Sequence, residues 1–341
     1  MEKPKKKLTV KKAILLVLAA LLVWALLYVL GPAYPQAYYK APAADAALAD
    51  WMSHIDGSKR LSEINIPGTH DSATQYIFPD YFLRDQNEPI SVQLEQGYRY
   101  VDVRVALTKD GAGLEMIHAF GACRRGPSLF SGAISYDSVC DDAIAFLRAH
   151  PGETVIFCIK PERSSDDPAA VCAIIEKRAA AESDMWYTGS EIPTLDEARG
   201  KIVLCRRYDG ELGMDFNWID QGDPTVLADP IGWHDVNGTQ RVAVQDRYHY
   251  SVADKWTAVL YTFDNCPADA DTFTLNFLST AVGKLPHPVS FAKDMNASFS
   301  GFELETGKAY GVVIFDFAEA SLAEKVIASN PETAQLFTPA A

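Results

Sequence analysis

Short apolar runs recur along the chain, each ending at or near a polar or charged residue and separated by stretches of helical or loop character. The runs are Glu63–Pro67, Tyr100–Ala106, Leu114–His118, Val155–Ile159, Lys201–Cys205, Val242–Gln245, Thr272–Phe277 and Gly311–Phe315. Continuous apolar sequence such as Val155–Ile159 suits a strand buried on both faces. Helical stretches at Asp137–Ala149, Ala169–Ala181 and Leu322–Ser329 lie between the runs. Strand-like runs alternating with helices predict parallel β/α units. Eight such runs predict an α/β fold, a distorted (β/α)8 TIM-type barrel. The distortion is expected between the second and third runs, where too few residues intervene for a helix.

A different kind of run precedes these. Ala13–Leu30 is apolar without interruption, and residues 1–12 carry six lysines against the single acid Glu2. This pattern predicts a basic cytoplasmic N-terminus over 1–12, then either a transmembrane anchor or the apolar core of a signal segment over 13–30. The small-residue site Ala41-Pro42-Ala43 lies well beyond the run. Residues 31–50, rich in Ala, Pro and Tyr, read as a tether, and no second linker interrupts 51–341, which is expected to form one domain. Either reading places that domain outside the cytoplasm, on the extracellular side of a cell membrane or secreted. A chain of 341 residues, 48% of them hydrophobic, has ample material for one large core.

The formal net charge is -14, and the first twelve residues oppose it, leaving -19 for the rest. So acidic a body is a poor general partner for nucleic acid or an anionic membrane surface. A site for an anionic ligand must therefore be a local cluster of positive groups. Of the six cysteines, Cys158 and Cys205 fall inside apolar runs and read as core residues. Cys123 and Cys140 flank a Gly/Ser-rich loop and are the expected pair, should a disulfide form in an exported protein. No CxxC, HExxH or zinc-type spacing occurs, so no metal framework is expected.

Chemistry-bearing residues gather at the ends of the runs: His70 and Asp71, Arg104, His118, Lys160 and Glu162, Arg207, Asp246 and Tyr248, and Asp316. In a barrel the C-terminal ends of the strands form one face, where active sites are built. In Ile66-Pro67-Gly68-Thr69-His70-Asp71-Ser72, Pro67 and Gly68 are expected to break the strand and aim His70 and Asp71 outward. In Val101-Asp102-Val103-Arg104, alternation puts Asp102 and Arg104 on one face and the valines on the other. Taken singly, these are a turn histidine, an internal ion pair and, at His118, a structural histidine. Together they suit phosphodiester cleavage by a neighbouring hydroxyl. One histidine takes the hydroxyl proton, the other protonates the leaving oxygen, and a guanidinium fork meets the phosphoryl oxygens.

The order Pro-Gly-Thr-His-Asp-Ser, then Val-Asp-Val-Arg, then a histidine ending the next strand resembles the bacterial phosphatidylinositol-specific phospholipases C. The likeness runs through roughly residues 50–330. It continues in Lys160-Pro161-Glu162, Arg206-Arg207-Tyr208, Val244-Gln245-Asp246-Arg247-Tyr248 and the Asp316 of Val-Ile-Phe-Asp-Phe. The resemblance implies that His70 is the general base on the inositol 2-hydroxyl, partnered by Asp316. It implies that His118 is the general acid on the diacylglycerol oxygen, helped by Asp71, and that Arg104 binds the phosphate. Lys160, Glu162, Arg207 (in preference to Arg206), Asp246 and Tyr248 would hold the inositol ring, with Tyr248 stacking on it. Calcium-dependent relatives carry metal ligands where Arg104 stands here, so metal-independent action without a cofactor is expected. Phosphatidylinositol is the implied partner, and the protein is expected to be a monomer.

Two other functions fit parts of the pattern. A glycerophosphodiesterase-like barrel would open with His-Arg-Gly and carry Glu-Asn-Thr, and neither occurs. A non-catalytic envelope protein that binds inositol lipids or glycans would need no acid–base pair, yet His70, Arg104, His118 and Asp316 are all present.

Overall fold

The computed structural model describes residues 9–30, 45–128, 130–223, 225, 229–283 and 287–337. All eight apolar runs contribute strands. The strands are β1 (Ile66–Thr69), β2 (Tyr100–Leu107), β3 (Leu114–His118), β4 (Gly121–Ala122), β5 (Val155–Pro161) and β6 (Trp186–Tyr187). They continue as β7 (Ile202–Arg206), β8 (Met214–Asp215), β9 (Gly232–Asp235), β10 (Arg241–Gln245), β11 (Thr272–Phe277) and β12 (Val312–Phe315). The main path through the sheet is β6-β7-β5-β2-β1-β12-β11-β10-β9.

The sheet curls as a barrel does, but it departs from eight regular β/α units. β3 runs antiparallel to β2, with Leu107 opposite Leu114. The six intervening residues make a tight turn, Thr108 N donating to Gly113 O at 2.9 Å, and so short a link permits only a hairpin. At one edge β9, which the apolar pattern did not reveal, pairs antiparallel with β10. At the other, β6 and β8 both pair with β7. β8 and β9 are bridged by side chains, His234 Nε2 lying 3.0 Å from Asp215 Oδ1.

Side-chain alternation divides the core in two. Tyr100, Ile156, Cys158, Val203, Val244, Leu275 and Ile314 fill the inside of the curl. Val101, Val103, Val105, Phe157, Ile159 and Leu204 pack outward beneath helices, among them Tyr136–Ala149 and Pro168–Ala181. Capping sets where these helices start: the side chains of Ser135 and Asp167 accept from Ser138 N and Ala169 N. Asp102 and Arg104 therefore share the inner face with Tyr100, as alternation requires.

β1 corrects one expectation. Pro67 and Gly68 do not break the strand but lie within it, opposite Val313 and Ile314 of β12. Gly68 is needed for close approach, since a Cβ there would meet Tyr100 Cβ at 2.9 Å. The expected disulfide is also corrected: Cys123 and Cys140 are both free and buried, as small core residues.

The N-terminal apolar run forms a helix, Val10–Leu30, exposed along almost all of its described side chains. Among the described residues no helix is long and apolar enough to cross a membrane, so the expected span over 13–30 is unsupported. Residues 1–8 and 31–44, including most of the tether and Ala41-Pro42-Ala43, lie outside the described residues.

Candidate active site

The strand C-termini surround a cavity of about 360 Å³. All ten residues picked out from the sequence line it: His70, Asp71, Arg104, His118, Lys160, Glu162, Arg207, Asp246, Tyr248 and Asp316.

Backbone conformation aims three of them. Asp71 (φ 42°), Ala119 (φ 50°) and Phe317 (φ 47°) are left-handed non-glycine residues, and each immediately follows His70, His118 or Asp316. Such a conformation costs about 1–2 kcal/mol per residue and is typically stored at functional sites. Hydrogen bonds hold it in place. Phe317 N donates to Asp85 O at 2.6 Å and His70 N to Phe315 O at 3.0 Å. Gln86 Nε2 donates to the carbonyls of His70 and Phe315 at 2.8 and 2.9 Å. Asp71, and not Pro67 or Gly68, is thus where the chain turns.

The two imidazoles stand edge to face, 6.5 Å between centroids. Each is tied at Nδ1 to a buried carboxylate: His70 to Asp316 Oδ1 at 2.8 Å, and His118 to Asp85 Oδ2 at 2.9 Å. Leu83 O also lies 2.9 Å from His118 Nδ1. Both Nε2 atoms converge on Asp71 Oδ2, at 3.1 Å from His70 and 3.4 Å from His118. Arg104 completes the cluster. Its Nε is 3.1 Å from Asp71 Oδ1, its Nη2 3.0 Å from Asp102 Oδ2, and its Nη1 3.5 Å from Glu162 Oε2. Arg104 Nη2 also lies 3.2 Å from His70 Nε2.

This crowding fixes protonation. Burial alone would depress His70, but the Asp71 and Asp316 carboxylates outweigh it and push the imidazole up to about 10. Asp71 and Asp85 likewise lift His118 to about 9 against its burial. Burial raises Asp316 to about 6, opposed by His70. Asp102 goes the other way: Arg104 and His70 overcome its burial and hold it well below the usual carboxylate range.

Beyond Arg104 the cavity becomes a polar cup. Lys160 Nζ pairs with Glu162 Oε2 at 3.1 Å. The Arg207 guanidinium lies over the Trp218 ring at 3.6 Å. Arg206 faces elsewhere, its Nη1 3.0 Å from Asp215 Oδ2, so Arg207 is the arginine that the cavity receives. Tyr248 donates its hydroxyl to both carboxylate oxygens of Asp220, at 3.0 and 2.9 Å.

Among the described residues, three sets of groups have ligand atoms within 4.8 Å of one another: His70, Asp71 and Asp102; His70, Asp85 and Asp316; and Asp71, Asp85 and His118. Two of these carboxylates, Asp71 and Asp102, already hold the Arg104 guanidinium.

Sequence reasoning missed Asp85, Trp218 and Asp220. Each lies outside the strands and helices, with no periodic pattern or motif to mark it. It also gave His118 only Asp71 as a helper, whereas Asp85 makes the closer contact.

The chain is similar to the 1-phosphatidylinositol phosphodiesterase of Staphylococcus aureus strain Newman, 28% identical over 305 residues that cover 82% of this chain and 93% of the relative. A protein of the same name from Listeria monocytogenes is 26% identical over 325 residues, covering 88% and 91%. Among solved structures, a double mutant of the S. aureus phosphatidylinositol-specific phospholipase C matches with a TM-score of 0.69 at 24% identity, over 84% of this chain and 98% of that one. The L. monocytogenes enzyme matches with a TM-score of 0.63 at 23% identity, over 83% and 98%. At such identities the structural likeness establishes the fold. No protein-family model matches.

Proposed function

We propose that this protein is a phosphatidylinositol-specific phospholipase C that releases diacylglycerol and inositol 1,2-cyclic phosphate. The observation that carries this reading is the pair of carboxylate-bound imidazoles, His70 and His118, whose Nε2 atoms converge on one point beside Arg104. The phosphodiesterase names of the relatives point to the same substrate.

In this reading the inositol 2-hydroxyl oxygen attacks phosphorus while its proton passes to His70 Nε2. The bond from phosphorus to the glycerol oxygen breaks, and that oxygen takes a proton from His118 Nε2. Arg104 meets the charge that builds on the phosphoryl oxygens, a role suited to a fixed planar donor. The free site holds both histidines toward their charged forms, so His70 acts in the fraction that has shed its proton. Asp316 and Asp85 fix the two rings through Nδ1, so that each Nε2, which faces Asp71 Oδ2 in the free site, is the atom that exchanges a proton. Lys160, Glu162, Arg207, Asp246 and Tyr248 hold the ring hydroxyls in the polar cup.

Metal-independence belongs to this proposal. Its support is that Arg104 binds the Asp71 and Asp102 carboxylates that an ion would use. We also place the domain outside the cytoplasm, on the strength of the lysine-flanked apolar run, whether that run is retained or removed.

The test is diacylglycerol release by the purified full-length protein from phosphatidylinositol vesicles, with phosphatidylcholine and glycerophosphoinositol as controls. Release from phosphatidylinositol alone is expected. Cleavage of glycerophosphoinositol in preference to the lipid would favour a glycerophosphodiesterase, and binding without turnover a lectin-like role.

A further inference from the structure

A fully buried lysine has no role in the mechanism above. Lys255 lies in the helix Val252–Asn265, which packs on the outer face of β10 and β11, and it is 0% exposed. Lysine is almost never buried without a partner of opposite charge. Among the described residues Lys255 makes one hydrogen bond, Nζ donating to Gln245 Oε1 at 2.8 Å, and no ion pair. Burial drives the ammonium down to about 7, although the Asp246 and Asp316 carboxylates pull it the other way. A methionine would fill such a place without that cost, so packing does not account for the ammonium.

What it holds is the end of β10. Gln245 is buried and turned outward, alternating with Val244, which fills the inside of the curl. Its amide is fully engaged. Oε1 accepts from Lys255 and, at 3.0 Å, from Arg247 N. Nε2 donates to Asn276 Oδ1 at 2.9 Å and to Phe277 O at 2.8 Å. An ammonium only donates, so it fixes which end of the amide faces the helix and which end meets Arg247 N. On the other side, Asp246 N donates to Gln221 Oε1 at 3.0 Å. The peptide units before and after Asp246 are thereby tied down, and its carboxylate is left facing the cavity.

We propose that Lys255 is a positioning residue for headgroup binding: through Gln245 it fixes the backbone at Arg247 and so aims the Asp246 carboxylate at the inositol hydroxyls. This rests on the phospholipase reading. Lys255 lies behind the cavity wall and touches no substrate, so its effect falls on binding and not on proton transfer.

The experiment compares wild type, Lys255→Met and Gln245→Met on phosphatidylinositol dispersed in detergent, each with Asp246 intact and with Asp246→Ala. Lys255→Met should raise KM about 3- to 10-fold, the scale of one weakened hydrogen bond to substrate, and leave kcat within about twofold. Gln245→Met breaks the same link at its other end and should show the same split. With Asp246→Ala in place, neither change should lower kcat/KM by more than about twofold further, because the group they aim is gone. The thermal midpoint of Lys255→Met should hold or rise, since a charge no longer has to be buried. An unchanged KM, a loss confined to kcat, or an equal penalty with and without Asp246 overturns the assignment while leaving the phospholipase reading intact. Failure of Lys255→Met to fold also overturns it, by making the ammonium a structural group. A wild-type protein that turns over no phosphatidylinositol overturns both.

Discussion

Asp85 Oδ2 lies 2.9 Å from His118 Nδ1, on the irregular segment that follows the short helix Asp80–Leu83. The contact orients the ring so that Nε2 faces the reacting centre, and it helps lift the imidazole to about 9. A general acid works below its pKa. Asp85→Asn removes one of the charges that raise His118, so the alkaline limb of the kcat profile should move to lower pH. Turnover of phosphatidylinositol should fall by up to about 10²-fold, part of the 10²–10⁴ that a positioned proton donor contributes. A nitrophenyl leaving group needs little protonation, so it should recover most of that loss in Asp85→Asn and in His118→Ala, but not in His70→Ala. Equal recovery in all three would contradict the assigned acid and base.

Arg104 is tied to Asp71, Asp102 and Glu162 at once, which fixes the plane of its guanidinium. Arg104→Lys keeps the charge and loses the fork, so kcat should remain about 10²-fold or more below wild type. Wild-type turnover should be unchanged in excess chelator. Activity lost in chelator and restored by calcium would contradict the proposed role of Arg104.

The neighbours Arg206 and Arg207 give an internal control, because only Arg207 lines the cavity. Arg207→Ala should raise KM about 10-fold or more, the scale of a charge-assisted hydrogen bond to substrate. Arg206→Ala, which breaks the pair with Asp215, should leave KM within about twofold. Michaelis curves on phosphatidylinositol dispersed in detergent would separate the two. Similar KM values for both variants would remove Arg207 from the headgroup pocket.

Much of this site is legible in the sequence, because strand ends are. The apolar runs locate β2, β3, β5, β7, β10, β11 and β12 closely, and barrel geometry then collects whatever follows them. What stays hidden depends on contacts between segments far apart in the chain. Asp85 meets His118 across a loop, and Asp220 meets Tyr248 from a stretch with no regular structure. Neither has a periodic neighbourhood to mark it. The direction of β3 was hidden for another reason: an apolar run gives a strand but not its sense, which the short link from Leu107 decides. Propensity assigns the turn at His70 to Pro67 and Gly68, whereas tertiary packing keeps both in β1 and moves the turn to Asp71.

The central claim is that the inositol 2-hydroxyl, activated by His70, is the nucleophile. Its most direct test is a phosphorus NMR time course of phosphatidylinositol cleavage. Intramolecular attack has a large proximity advantage over attack by water, so inositol 1,2-cyclic phosphate should accumulate first, ahead of any inositol 1-phosphate. Inositol 1-phosphate as the first product, with no cyclic species before it, would contradict the account.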